Sequence, residues 1–129
     1  METATQKPEV KILLVDDEAF MREIIVNALS AGGYREIRPL SKLESLHEVV
    51  ESYFPDLLVI NGEMGDGQAL EVVRRIRHFR IGRNPFLPIV MTSWNSEGPF
   101  VRKVVDCGAD VLMIKPLAAG QLLARLDFL

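Results

Sequence analysis

Five short apolar runs divide the chain, at residues 10–15, 35–40, 55–61, 88–92 and 111–114. Bounded runs of this length, rich in Val, Ile and Leu, predict strands buried on both faces. The second run is weak, and Pro39 inside it predicts an edge position or a strand end. The stretches between the runs have helical spacing. Over 18–31, Phe20, Ile24 and Ala28 recur every fourth residue beside Met21, Ile25 and Leu29, and Gly32-Gly33 stops the helix. Ser41 and Glu44 match a capping box opening a helix that runs to Tyr53, with Leu43, Leu46, Val49 and Val50 inward. Asp66-Gly67 opens a third helix with Leu70, Val73 and Ile76 as its buried row. Pro99 suits the first turn of a fourth, whose apolar row includes Phe100, Val101, Val104 and Val105. A fifth covers 117–128.

Strict strand–helix alternation with short connections predicts an α/β fold: a five-stranded parallel sheet, doubly wound and flavodoxin-like, in order 2-1-3-4-5, with helices on both faces. The 129 residues fit a loose N-terminal arm, 1–9, and one domain, 10–129. A net charge of −3 gives no reason to expect direct nucleic-acid binding. The single cysteine, Cys107, permits no internal disulfide and fits a cytoplasmic setting. No apolar run is long enough to span a membrane, and the start lacks a signal-peptide core.

In such a sheet the strand ends line one edge. The residues delivered there are Asp16 and Asp17, Asn61, Ser93 and Lys115. Adjacent carboxylates suit Mg²⁺, and a lysine and a hydroxyl beside them suit a phosphoryl group held on a carboxylate. A small flavodoxin-like cofactor binder would need a Gly-rich phosphate loop after the first strand. Asp16-Asp17-Glu18-Ala19 is the opposite.

These motifs carry a resemblance. Ile12-Leu13-Leu14-Val15-Asp16-Asp17, the run from Pro55 to Ile60, Pro88-Ile89-Val90-Met91-Thr92-Ser93, Gly108-Ala109-Asp110 and Lys115-Pro116 together resemble the receiver domain of two-component response regulators, of the single-domain chemotaxis-regulator type. The spacings agree: 44 residues from Asp17 to Asn61 and 22 from Ser93 to Lys115. The resemblance implies a non-enzymatic signalling domain that accepts phosphate from a histidine kinase, with Ser93 as switch hydroxyl, Lys115 as pocket lysine followed by a cis proline, and Mg²⁺ as cofactor.

Several positions depart from the family pattern. Asn61 stands where the family has the phospho-acceptor Asp, and an amide is a poor nucleophile. Counting Asp16, Asp17 and Lys115, the pocket charge is then −1, so an Mg²⁺ site made by Asp16, Asp17, Asn61 and Glu63 is weakened or lost. The loop after Met64 is shorter by two residues and lacks the family's proline. Trp94 follows the switch position, where the family prefers a small residue, and can cover the pocket. Leu112 occupies the place of a switching aromatic.

The expected function is a degenerate, phosphorylation-independent interaction module of a phosphorelay. Its partners would be a histidine kinase, another receiver or a downstream output protein, with a homodimer through the helix 4–strand 5–helix 5 face as one option. The alternative is an ordinary phospho-accepting receiver whose acceptor Asp has been exchanged for Asn61, or regenerates by deamidation at Asn61-Gly62. Asp16 and Asp17 also serve as first-turn charges for helix 1, and Lys115 is expected to neutralise Asp17. The basic stretch Arg74, Arg75, Arg77, His78, Arg80 and Arg83 reads as a solvated face or as a docking surface for an acidic partner.

Overall fold

The computed structural model describes residues 6–127 and Leu129. Strands β1 (Lys11–Val15), β2 (Glu36–Leu40), β3 (Leu57–Asn61), β4 (Ile89–Ser93) and β5 (Val111–Ile114) alternate with helices α1 (Ala19–Ala31), α2 (Leu46–Tyr53), α3 (Gln68–Arg77), α4 (Gly98–Cys107) and α5 (Ala119–Leu126). The strands form one parallel sheet in the order β2-β1-β3-β4-β5, as the alternation predicts.

Successive strand residues point to opposite faces, and both faces are covered. Leu13, Leu58, Ile60, Ile89 and Met91 pack against α2, α3 and α4 through Leu46, Val49, Leu70, Val73, Ile76 and Val104. Ile12, Leu14, Leu57, Val59 and Val90 pack against α1 and α5 through Ile25, Leu29, Leu122 and Leu126. Each such Leu, Ile or Val contributes about 1.5–3 kcal/mol on burial. Two-sided burial is why the central strands read as continuous apolar runs. β2 lies at the edge, where Pro39 costs no ladder bond on a further strand.

Several local expectations fail for visible reasons. The Ser41–Glu44 capping box does not form; the chain makes a 3-10 turn, Leu43–Ser45, with Lys42 at its N-cap and no side-chain cap bond. The inward row of α1 is Met21, Ile25, Ala28 and Leu29, while Phe20 is exposed. In α4 only Val104 and Cys107 are buried, and Val105 faces solvent. Of the stretch expected to be a loose arm, Lys7–Glu9 form a 3-10 turn, and Lys7 Nζ donates to the Gly32 carbonyl at 3.2 Å. Residues 1–5 of that stretch, and Phe128 in the expected last helix, lie outside the described residues. No described helix is long and apolar enough to cross a membrane.

Candidate functional site

Ladder bonds at the strand ends fix the site. Asp16 N–H donates to the Leu40 carbonyl at 3.0 Å, Gly62 N–H to Thr92 at 2.8 Å, and Lys115 N–H to Ser93 at 2.7 Å. The backbone is therefore held up to and just past the last strand residue, so Asp16, Asn61, Ser93 and Lys115 meet on one edge. All four are at most 3% exposed.

Asn61 bridges the acidic pair. Its Nδ2 donates to Asp16 Oδ1 at 3.2 Å and to Asp17 Oδ1 at 3.1 Å. Its Oδ1 accepts from Glu63 N–H at 3.1 Å. Each polar atom of the amide thus has a partner, and the nitrogen faces the carboxylates. Reversing the amide would set oxygen against oxygen on one side and N–H against N–H on the other. As arranged, the amide nitrogen points at the carboxylates a divalent cation would need, so a cation there must first displace those hydrogen bonds. Among the described residues, no group of three or more His, Cys, Asp or Glu side chains is placed to hold a metal ion.

Lys115 does not neutralise Asp17. Its Nζ lies 3.1 Å from Asp16 Oδ2 and 2.6 Å from Glu18 Oε1, and its side chain is fully buried. Asp17 is exposed and bonded to Asn61. The buried Asp16 carboxylate is fully occupied, since its Oδ1 also accepts from Glu18 N–H at 2.8 Å. Removing one partner of such a buried pair is costly. Glu18 enters the cluster as a third carboxylate and takes the formal charge from −1 to −2. The hydrogen bond from Lys115 holds its carboxyl below the ordinary glutamate range; burial opposes this and the Trp94 indole adds to it.

Trp94 roofs this cluster. Its backbone N–H donates to Glu63 Oε1 at 3.2 Å, and its indole Nε1 lies 3.3 Å from both carboxylate oxygens of Glu18. The Lys115 ammonium sits 5.8 Å from the ring centroid, in cation–π range. Glu18 and Lys115 thus hold a half-exposed indole over the end of the sheet, and Glu63 holds the Trp94 backbone. Ser93 Oγ accepts from Asn95 N–H at 2.8 Å, which ties the hydroxyl into its own loop.

The loop from β3 to α3 needs unusual backbone. Gly65, Asp66 and Gly67 are successive left-handed residues, with φ of 68°, 52° and 99°. Glycine adopts this freely and Asp tolerates it, so Asp66-Gly67 is what lets the chain turn directly into α3. Leu112 is half-buried on β5 against the α4 side of the core. The Lys115-Pro116 peptide is cis.

Asp16, Asp17, Asn61, Ser93 and Lys115 stand at this edge, where the strand ends were expected to deliver them; Glu18 was not among the residues expected there. It was visible as the third acid of a run. Nothing in the spacing separated a pocket carboxylate from a solvated first-turn charge.

A family profile for the response regulator receiver domain matches residues 12–127. The chain is 37% identical over 118 residues to the response regulator MprA of Mycobacterium tuberculosis, covering 91% of this chain and 49% of that protein. It is 31% identical over 115 residues to the phosphate regulon transcriptional regulatory protein PhoB of Pseudomonas aeruginosa, covering 89% and 49%. The chain therefore spans about half the length of the curated relatives it matches. Its fold is that of a response regulator from Thermotoga maritima, with a TM-score of 0.79 at 20% identity, covering 92% of this chain and 96% of that one. The chemotaxis protein CheY4 of Vibrio cholerae matches with a TM-score of 0.79 at 21% identity, covering 92% and 97%. With the strand order and the edge residues above, these matches agree on one assignment: the chain belongs to the response regulator receiver domain family of two-component signal transduction.

Proposed function

We propose that this receiver is degenerate, signalling by binding and not by accepting phosphate, and that it has no enzymatic activity of its own. One observation carries the reading. The Asn61 amide donates to both Asp16 and Asp17, so a neutral side chain stands where acceptor chemistry needs a carboxylate and a cation. Trp94, held by Glu18 and Glu63, leaves little headroom for a phosphoryl group. Mg²⁺ at Asp16, Asp17, Asn61 and the Glu63 carbonyl is weakened, because it must displace the amide hydrogen bonds.

The chain acts as one domain over 10–129. Its partners are a histidine kinase, another receiver or a downstream output protein. They are met at the start of α1, where Phe20 is exposed, or on the α4–β5–α5 face, where Val105 and Ile114 are exposed. The second face also suits a homodimer. Direct contact with nucleic acid is not part of this reading.

The test is acetyl phosphate with Mg²⁺, read by intact mass at neutral pH. The chain gains no phosphoryl group. A hydrolysable adduct on it would overturn the reading. Asn61→Asp separates natural degeneracy from a simple exchange of the acceptor. Under degeneracy that variant is phosphorylated only when Trp94→Ala is added. If Asn61→Asp alone suffices, the site is an ordinary one lacking a single carboxylate.

A further inference from the structure

Away from the acceptor edge, positive charge collects on the second half of α3 and the segment that follows. Arg74, Arg75, Arg77, His78, Arg80 and Arg83 fall within ten residues of a chain whose net charge is −3. Arg77 is used internally, donating to the carbonyls of Gly108, Pro85 and Leu87. The others differ from it. Arg74 and Arg75 are exposed and share one carboxylate, Glu71, at 3.5 Å each. That is long for a charge-assisted bond, which is shortest near about 2.8 Å. Their side chains are about half exposed, at 45% and 59%. Arg80 has no ion pair among the described residues.

Arg74, Arg75, His78 and Arg80 line a groove of about 560 Å³ with His47 from α2, and Glu71 is the one carboxylate in that lining. Basic residues in a last helical turn offset the helix dipole, and that accounts for Arg74 and Arg75. It does not account for Arg80, which lies beyond the helix. His47 has a local partner, Glu51, 3.5 Å away, but Arg80 adds a third guanidinium to the same concavity.

We propose that this groove docks an acidic segment of a partner protein, a run of Asp and Glu side chains laid along α3. Guanidinium groups pair bidentately with carboxylates. Arg74, Arg75 and Arg80 bring three of them to one groove, which suits a peptide carrying several carboxylates. A compact phosphate fits less well. Dedicated phosphate sites use backbone N–H groups at helix N-termini, and this is a C-terminal end, where carbonyls face out. Nucleic acid also fits less well, since the chain as a whole carries a net charge of −3 and repels a phosphate backbone beyond this groove. The surface is separate from the acceptor edge, so docking here does not depend on the state of Asn61.

The test uses a fluorescein-labelled twelve-residue peptide of Asp, Glu and Leu, read by anisotropy at low and physiological salt. The unaltered chain binds it. Arg74→Glu with Arg80→Glu weakens binding at least about tenfold. Arg102→Glu with Lys103→Glu on α4 removes the same charge from two exposed positions and shifts binding less than about twofold. Arg74→Lys with Arg80→Lys keeps the charge and loses the fork, so binding falls between that of the unaltered chain and that of the glutamate pair, and matching thermal melts exclude misfolding. Asn61→Asp binds like the unaltered chain, so a failed phosphorylation prediction leaves this one standing. No peptide binding, or equal loss in the α3 and α4 charge reversals, overturns the proposal. So does pyrophosphate or duplex DNA that binds more tightly than the peptide and loses affinity in the Arg74→Glu, Arg80→Glu chain.

Discussion

An amide nitrogen has two hydrogens and no charge, and at Asn61 both hydrogens are committed to carboxylates. Asn61→Asp replaces two donors with a third acceptor beside Asp16 and Asp17. Without metal, that variant is destabilised by about 1–3 kcal/mol, the cost of leaving buried polar groups unpaired. Mg²⁺ restores the loss in the variant and does little for the unaltered chain. Urea unfolding with and without Mg²⁺ checks this, and equal stability of the two metal-free proteins would count against the amide bridge. The same geometry bears on the Asn61-Gly62 step. Deamidation needs the Gly62 nitrogen to reach the Asn61 side-chain carbonyl, but Gly62 N–H is held by Thr92 at 2.8 Å and Asn61 Oδ1 by Glu63 N–H. Native protein therefore keeps its mass at this peptide on ageing, whereas protein held in urea deamidates; peptide mapping of both samples distinguishes them. A dipeptide read alone looks labile, because the hydrogen bonds that restrain it come from residues two and thirty positions away. Trp94 was legible as a cover for the same reason that Glu18 was not. A bulky ring beside a strand end has few places to go, but a glutamate can face water or pocket alike.

Between elements, Arg77 is the main polar tie. From the end of α3 it reaches the Pro85 and Leu87 carbonyls before β4, the Gly108 carbonyl after α4, and Asp110, whose Oδ2 also accepts from Ile89 N–H at 2.8 Å. One side chain thus satisfies the backbone of two loops that would otherwise leave carbonyls unpaired. Arg77→Ala lowers stability by about 2–4 kcal/mol and loosens the segment between α3 and β4. Arg77→Lys recovers little, because an ammonium on a flexible stem cannot reproduce the planar fork. Denaturant midpoints and amide hydrogen exchange over residues 79–88 are the measurements. A variant that melts with the unaltered chain would show these bonds to be replaceable by water. In the sequence, Arg77 was one of six basic residues and nothing set it apart. The same limit produced the errors over Phe20 and Val105. Periodicity locates an apolar stripe to within a residue or so, and the neighbour that it packs against decides which rim positions are covered. α4 buries a narrow stripe against α3 and the sheet edge, so Val105 falls outside it.

At the scale of the molecule, strand order and layering were legible because burial on both sheet faces demands apolar runs, and short connections leave few ways to join them. What alternation does not report is how the ends of the chain are held. Lys7 Nζ lies 5.4 Å from the Tyr34 ring centroid and 3.6 Å from Asp127, so the first turn, the loop after α1 and the residue after α5 meet around Tyr34. Tyr34 is 6% exposed and packs with Ile25, Leu29 and Leu126. Burial, with Asp127 nearby adding to it, pushes its hydroxyl above the ordinary tyrosine value. A folded-state value above the unfolded one means that the native chain holds this proton more tightly. The associated stability is complete below the unfolded tyrosine value of about 10 and is lost as pH rises through the folded value. Tyr34→Phe removes this step. Tyr53 is raised likewise, so the informative quantity is the difference between the two proteins. Urea midpoints of the unaltered chain fall further between neutral pH and strong alkali than those of the variant, and parallel profiles would show that the ring, and not its proton, is what ties the chain ends together.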